Sequence, residues 1–286
     1  DSLTGPIIGR PKSATFRTSD LVGLDTLNSV AKGVYDNCPD DEQKEIFNLP
    51  PFIKKMLEKK WLGDKTKQGF YKKDRDAKGN RKILSLNLKN LEYQEKRKIK
   101  YETIGKAKKI NNLKKRLPEL IKGEDKAAKF YKKMFAFMFA YISHRIPEIS
   151  DEIYKIDAAM CAGFGWKIGP FEIWDSIGFK NGVRLMDLEK LTYPDWIKNF
   201  TGSSFYGLQD GYKLCHNRKT EQQQKIPILN KIITLNHLKP KSILWKNDGV
   251  SLIDIGDGVL NIEFHTKLNS IGKDVIEGIN KGIDLG

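Results

Sequence analysis

One frame occurs twice in this chain, and it constrains the fold more than any other feature. Phe16-Arg-Thr-Ser-Asp20-Leu-Val-Gly23 and Phe171-Glu-Ile-Trp-Asp175-Ser-Ile-Gly178 both read F-x-x-x-D-x-[VI]-G. Each follows an Asp and a loop rich in Gly or Pro: Asp1-Ser2 with Gly5, Gly9 and Pro11, then Asp157-Ala158 with Gly163, Gly165 and Gly169. Self-similarity of this kind means one supersecondary unit built twice. In each unit the Phe is suited to anchor a loop in a helical core and the Asp to cap the next turn. The Gly allows a turn with positive φ. An apolar helix, Phe130 to Ile146, precedes the second frame, so the duplication predicts a matching helix ahead of the first.

Around the two frames the periodicity is mainly helical. Ser19-Asp20 precedes Leu21, Leu24, Leu27, Ala31 and Val34, an amphipathic helix with a capping oxygen at its start. A short acidic helix is expected from Asp40 to Phe47. Another starts at Pro50-Pro51, carries Phe52 to Trp61, and ends at Gly63. Ile83, Leu84, Leu86 and Leu88 suggest a short extended segment after the polar turn before Tyr71. Residues 96–126 read as one basic connecting helix that Pro118 ends or kinks. The Phe130–Ile146 helix breaks at Pro147, and shorter helices follow up to about Trp196. Residues 202–211 read as a loop, and 221–224 as an exposed run. After Pro240 the texture changes. Val250 to Ile255 and Val259 to Phe264 flank Gly256-Asp-Gly258, a strong hairpin turn, and Ile271 to Ile283 continue as a helix.

With 286 residues, of which 39% are hydrophobic and 30% charged, the chain can build more than one core beneath a charged surface. No apolar run is long enough to span a bilayer. Asp1-Ser-Leu-Thr-Gly-Pro has no signal-peptide pattern, and both ends read as interior to a longer chain. Three scattered cysteines, Cys38, Cys161 and Cys215, suggest neither a metal site nor a disulfide framework, which favours a reducing cytoplasm. The net charge of +15 raises the question of nucleic acid. Lysines interleaved with acids, as in Lys54-Lys-Met-Leu-Glu-Lys-Lys60, favour a solvated face instead. The basic 96–126 stretch is poor in stacking aromatics and has no nucleic-acid motif, so no specific nucleic-acid partner is expected. The rival to a catalytic reading is a basic helical nucleic-acid-binding or interaction module.

Specific motifs favour the enzyme. Ala162-Gly-Phe-Gly-Trp-Lys-Ile-Gly-Pro-Phe-Glu-Ile-Trp-Asp-Ser-Ile-Gly178 resembles the signature block of the 3-hydroxyacyl-CoA dehydrogenase C-terminal domain. Ile8-Gly-Arg-Pro-Lys-Ser-Ala-Thr-Phe-Arg-Thr-Ser-Asp-Leu-Val-Gly-Leu-Asp25 resembles the variant found in long bifunctional enzymes, and Gly63-Asp-Lys-Thr-Lys-Gln-Gly-Phe-Tyr71 is similar to the closing segment of that domain. Asp257-Gly-Val-Leu with Phe264-His-Thr-Lys-Leu-Asn-Ser-Ile271 resembles the opening of an enoyl-CoA hydratase, or crotonase, domain. The resemblance spans about 1–225 and 249–286. It implies a mainly α fold: a duplicated helical dehydrogenase C-terminal domain of the 6-phosphogluconate-dehydrogenase C-terminal-like kind, plus a short α/β crotonase-like segment. The implied boundaries are 1–95 for the first copy, 96–125 for the connecting helix, 126–235 for the second copy and 245–286 for the crotonase opening.

The resemblance further implies an acyl-CoA substrate and an NAD bound by a domain ahead of Asp1. It also implies an internal pseudo-dimer of the two copies, with homo-oligomerisation of the whole left open. The family's catalytic Asn and its His/Glu pair would lie ahead of Asp1, and the hydratase oxyanion hole and paired glutamates beyond Gly286. His144, His216, His237 and His265 match no catalytic position, and Glu263 and Glu277 read as solvent-facing charges. No catalytic residue is therefore expected in this chain, and the chain alone is expected to be inactive. Substrate contact is expected from Arg10, Lys12, Ser13 and Thr15, in the loop facing the nucleotide domain. Thr266, Lys267 and Ser270, near the CoA-binding strand end of crotonases, are the other candidates.

Overall fold

Two glycines at positive φ, Gly23 at 103° and Gly178 at 98°, set the helix pattern of both frames. Each ends one short helix and begins the next without an intervening loop. A computed structural model of the chain describes residues 1–96, 99–227 and 233–286. Arg97 and Lys98 of the basic run, and the side chain of His237, lie outside the described residues. The chain divides into two units, Asp1–Asp151 with Lys155–Ser203, and Glu152–Tyr154 with Ser204–Gly286.

In the first unit α1 (Phe16–Val22) and α2 (Leu24–Asn37) lead to α3 (Pro51–Glu58). A sheet of β1 (Tyr71–Arg75), β2 (Arg81–Asn87) and β3 (Glu92–Glu95) follows. Leu24, Ile53, Met56, Phe70 and Leu86 close these elements around one core. Asp20 does not cap a helix from Leu21, as the spacing suggests. It lies within α1, buried, with its carboxylate turned to a segment fifty residues away. The single connecting helix is two: α4 (Glu102–Ala107) and α5 (Leu113–Lys122). The Asn112 carboxamide accepts the Lys115 N–H and restarts the helix, and Pro118 sits inside α5.

The long apolar helix α6 (Lys126–Glu148) is capped by Asp125, whose carboxylate accepts the Ala128 N–H at 2.9 Å. It kinks at Ile146, where the following proline forces an extended backbone (φ −108°, ψ 116°). Next come α7 (Ile153–Phe164), α8 (Pro170–Ile177), α9 (Phe179–Leu188) and the short α10 (Asp195–Lys198). Phe139 of α6 stacks on the fully buried Trp174 of α8, ring centroids 4.7 Å apart, and the indole N–H donates to the Phe179 carbonyl at 3.1 Å. A Cβ on Gly182 would stand 2.0 Å from Trp174 Nε1, so α9 approaches α8 only because that residue is glycine.

The second unit holds β4 (Tyr206–Gln209), β5 (Tyr212–Asn217) and β6 (Gln222–Lys225), then α11 (Leu235–Ser242). A further sheet of β7 (Ile243–Lys246), β8 (Val250–Asp254) and β9 (Leu260–Phe264) precedes α12 (Lys273–Leu285). The hairpin after Pro240 forms as its sequence suggests. Gly256, Asp257 and Gly258 take φ of 90°, 54° and 72°, and Asp254 pairs with Leu260. Val275 of α12 packs on Val250 and Leu252.

The class is therefore mixed α/β, not mainly α. Among the described residues there are three antiparallel sheets of three strands, and the last, with its helix, does not by itself mark a crotonase segment. The strands escape a periodicity reading because several are wet on both faces: β6 is exposed throughout, and β1 is Tyr-Lys-Lys-Asp-Arg. Their registers come from turns. Asn87 Oδ1 accepts the Lys89 N–H at 3.0 Å between β2 and β3, and Asn217 Oδ1 accepts the Lys219 N–H at 2.8 Å between β5 and β6. Both turns end on a residue at positive φ, Leu91 and Glu221. Among the described residues no helix is long and apolar enough to cross a membrane.

Candidate functional site

The loops ahead of α1 and α8 meet each other. The Lys167 N–H donates to the Gly9 carbonyl at 2.9 Å. The Arg10 guanidinium lies 4.0 Å above the centroid of the Trp166 ring, and a Cβ on Gly165 would stand 3.5 Å from Pro11 Cγ. Counted back from Phe16 and Phe171, Arg10 and Gly165 hold the sixth place, Pro11 and Trp166 the fifth. The sixth residue of each loop thus lies beside the fifth of the other.

Two aspartates hold these loops. Asp157 Oδ1 and Oδ2 accept the Phe171 and Glu172 N–H groups at 2.8 and 2.9 Å, at the start of α8. The Asp1 carboxylate accepts the Phe16 N–H at 2.8 Å and the Arg17 N–H at 3.2 Å, at the start of α1, and also the Tyr71 hydroxyl at 2.6 Å. A carboxylate suits the free N–H groups and positive dipole end of a helix. Asp20 makes a third such clamp, accepting the Phe70 N–H at 2.8 Å and the Tyr71 N–H at 2.9 Å. Burial pushes its carboxyl up, against those two N–H groups and Arg17, which pull it down.

A fourth tie is ionic. Arg145 on α6 reaches Asp41 at 3.2 Å, Glu42 at 2.7 Å and Glu148 at 3.0 Å, and stacks over Tyr141. Burial pushes the Asp41 carboxyl up. The Tyr141 hydroxyl, the Gln43 N–H and the Arg145 guanidinium outweigh it and hold the group below the usual carboxylate range. Nothing in the sequence pattern pairs Arg145 with Asp41. The hint in the sequence is an arginine at the end of the apolar run of that helix, Met134 to Ile146.

The expected substrate residues separate into different roles. Arg10 is turned into the paired loops, with a guanidinium N–H on Met138 Sδ at 3.7 Å, and burial pushes it down to about 10. Thr15 Oγ1 donates to Thr4 Oγ1, and Ser13 Oγ accepts from Thr18, so both hold the loop together. Lys12 is exposed and lines a cavity. In the second unit Thr266 Oγ1 donates to the Ser270 carbonyl at 2.8 Å, closing a tight turn in which Lys267 stays exposed. Glu263 is not solvent-facing: Lys239 holds Oε1 at 2.8 Å, and Oε2 is buried without a hydrogen-bond partner. Glu277 Oε2 accepts from Asn247 Nδ2 at 3.3 Å.

No catalytic relay is formed by these groups. Ser251 Oγ and His265 Nε2 are 2.8 Å apart, but Ser251 is buried, and Glu263 approaches the same ring nitrogen rather than the opposite one. His144 Nε2 lies against the Thr192 carbonyl, and burial pushes His216 down. Among the described residues no group of three or more His, Cys, Asp or Glu could hold a metal ion. Nor does NAD fit: every described strand pair is antiparallel, whereas a dinucleotide fold needs parallel strands joined through a helix.

Residues 1–73 match the family model for the C-terminal domain of 3-hydroxyacyl-CoA dehydrogenase. Over 288 residues the chain is 41% identical to a Bacillus subtilis protein named as a 3-hydroxyacyl-CoA dehydrogenase, covering 99% of this chain and 36% of the relative. It is 26% identical over 281 residues to a Rickettsia felis protein named as a fatty acid oxidation complex trifunctional enzyme, covering 96% of this chain and 34% of the relative. A Deinococcus radiodurans protein, also named as a 3-hydroxyacyl-CoA dehydrogenase, is 50% identical over 78 residues, 27% of this chain and 22% of that protein. The chain spans about a third of the length of the first two relatives.

Proposed function

We propose that the chain is part of a longer NAD-dependent 3-hydroxyacyl-CoA dehydrogenase of fatty-acid oxidation that also carries enoyl-CoA hydratase activity. Residues 1–95 and 126–235 are two copies of the dehydrogenase C-terminal domain, paired as an internal pseudo-dimer. Their role is to close over the acyl-CoA and to supply the pairing surface. Residues 245–286 lead into the hydratase part, and NAD belongs to a part outside this chain.

The meeting of the two loops, with the Lys167 N–H on the Gly9 carbonyl and Arg10 over Trp166, carries this reading. It is supported by matching pairs elsewhere: Asp1 and Asp157 at helix starts, Gly23 and Gly178 between helices, Asn87 and Asn217 at sheet turns. One difference also fits. Ile177 and Leu185 lie under α6 at 3% exposure each, while their counterparts Val22 and Val30 are 51% and 59% exposed. A helix standing to α1 and α2 as α6 stands to α8 and α9 would cover them. Of the loop residues, Lys12 alone is free to reach a substrate phosphate.

The test is oxidation of NADH with acetoacetyl-CoA by the longer protein, with and without Arg10→Ala. Turnover that falls in the variant supports both the activity and the role of the paired loops. A folded longer protein with no turnover would refute the dehydrogenase assignment, and full activity in the variant would refute the role.

A further inference from the structure

The β1–β2 hairpin carries a cationic outer face that its own folding does not call for. Side chains alternate along a strand and stand beside their cross-strand partners. The pairs Tyr71–Ser85, Lys73–Ile83 and Arg75–Arg81 therefore share one face, while the other face carries Leu86 into the core. Lys73, Arg75 and Arg81 are exposed, and so is Ile83, at 62%. Among the described residues no carboxylate lies within 4.0 Å of these three cations. Asp74 alternates to the far face, where it stands opposite Lys82. Asp76 is turned back into the hairpin loop and accepts the Lys78 and Asn80 N–H groups, at 2.9 and 2.8 Å.

The β4–β5 hairpin does without such a face. It too starts after a buried Phe, with Tyr206 opposite Cys215 as Tyr71 stands opposite Ser85. Its last pair is Gln209 with Tyr212, and Asp210-Gly211 closes the turn at φ of 49° and 78°. The β1–β2 hairpin runs one pair further, to Arg75 and Arg81, before the loop from Asp76 to Asn80 closes it. That added pair sets two like charges directly opposite each other, which weakens a strand pair. Ile83, beside Arg81 and opposite Lys73, leaves a large apolar side chain in water among the cations.

We infer that this face docks on an anionic lipid surface. Anionic headgroups take Lys and Arg without a shaped pocket, and the acyl boundary beneath them takes an apolar side chain that the cations flank. A nucleic acid offers the same charge but no place for Ile83. Stacking of a base also needs an exposed ring, whereas Tyr71, the aromatic residue of this face, is half-buried with its hydroxyl on Asp1. Among the described residues no helix is long and apolar enough to cross a membrane, so the contact is with the surface. The inference does not depend on the dehydrogenase reading.

The experiment is cosedimentation of the 286-residue chain with vesicles of phosphatidylcholine alone, and of phosphatidylcholine and phosphatidylglycerol in equal parts. Binding to the anionic vesicles alone is expected. Each basic residue at such a surface strengthens binding about fivefold, so Arg75→Thr/Arg81→Thr should weaken it about thirtyfold. Ile83→Ser, at unchanged charge, should weaken it about tenfold. Lys108→Ser/Lys109→Ser removes the same charge from another exposed stretch and should change binding by less than about twofold. Melting followed by circular dichroism checks that each variant is folded. Equal weakening by the two double variants would overturn the inference, because a chain of net charge +15 is drawn to any anionic surface. No binding to the anionic vesicles would overturn it too. So would a double-stranded DNA oligonucleotide that binds more tightly than the vesicles and loses that binding in Arg75→Thr/Arg81→Thr. Such a failure leaves the dehydrogenase reading to its own assay.

Discussion

Replacing Asp20 with asparagine tests how the first frame is held. The two carboxylate oxygens take two backbone N–H groups, Phe70 at 2.8 Å and Tyr71 at 2.9 Å, from a side chain only 1% exposed. Asparagine keeps the shape but offers one oxygen, and turns an NH₂ against the other N–H. One charge-assisted bond worth about 1.5–3 kcal/mol is lost, and a buried N–H is left without an acceptor at about 1–3 kcal/mol. These costs overlap, and removing a buried charge returns part of them. The net loss should be about 2–3 kcal/mol. For a unit of this size that is a fall in melting temperature of about 4–12 °C, read by circular dichroism. Amide exchange localises it: Phe70 and Tyr71 should lose protection ahead of the α8 amides. Stability within about 0.5 kcal/mol of the parent, the level of an ordinary surface change, with unchanged protection at Phe70 and Tyr71, would refute the tether.

Gly182→Ala places a methyl 2.0 Å from Trp174 Nε1 and should cost about 1–3 kcal/mol by overpacking, measured by guanidinium denaturation. Arg145→Met leaves Asp41 and Glu42 without their cation and should cost about 2–4 kcal/mol at neutral pH. Because the folded Asp41 carboxyl is held low, its contribution is present above the ordinary aspartate value and fades as pH falls through the lower folded one. The gap between Arg145→Met and the parent should therefore narrow below about pH 4, as followed by denaturation at stepped pH. Val30→Asp, on the exposed face of α2, should change the stability of the 286-residue chain by less than about 0.5 kcal/mol. The same change should destabilise the longer protein markedly if a helix covers that face there, and paired melting curves decide it.

Much of the helical pattern was legible because short-range chemistry determines it. Gly23 and Gly178 sit at the same joint of the same frame, and Pro147 breaks α6 where its predecessor must be extended. The Gly256-Asp-Gly258 turn likewise forms the hairpin its residues require. The sheets were less legible. Strands such as Gln222–Lys225 have no buried face to impose alternation, and their pairing rests on an Asn-headed turn, a signal carried by one residue. Side-chain partners distant in sequence were the least legible. Asp20 is a cap by local rules and a tether to residues 70 and 71 in the fold, while Arg10 lies over Trp166, some 156 residues away in sequence.

The most direct measurement is loss of NADH absorbance with acetoacetyl-CoA, taken in parallel on the 286-residue chain and on the longer protein. Turnover by the longer protein alone is expected, because the described residues form touching loops and helix clamps but no relay for proton or hydride transfer. Turnover by the 286-residue chain itself would place catalytic groups within it and contradict this division of roles.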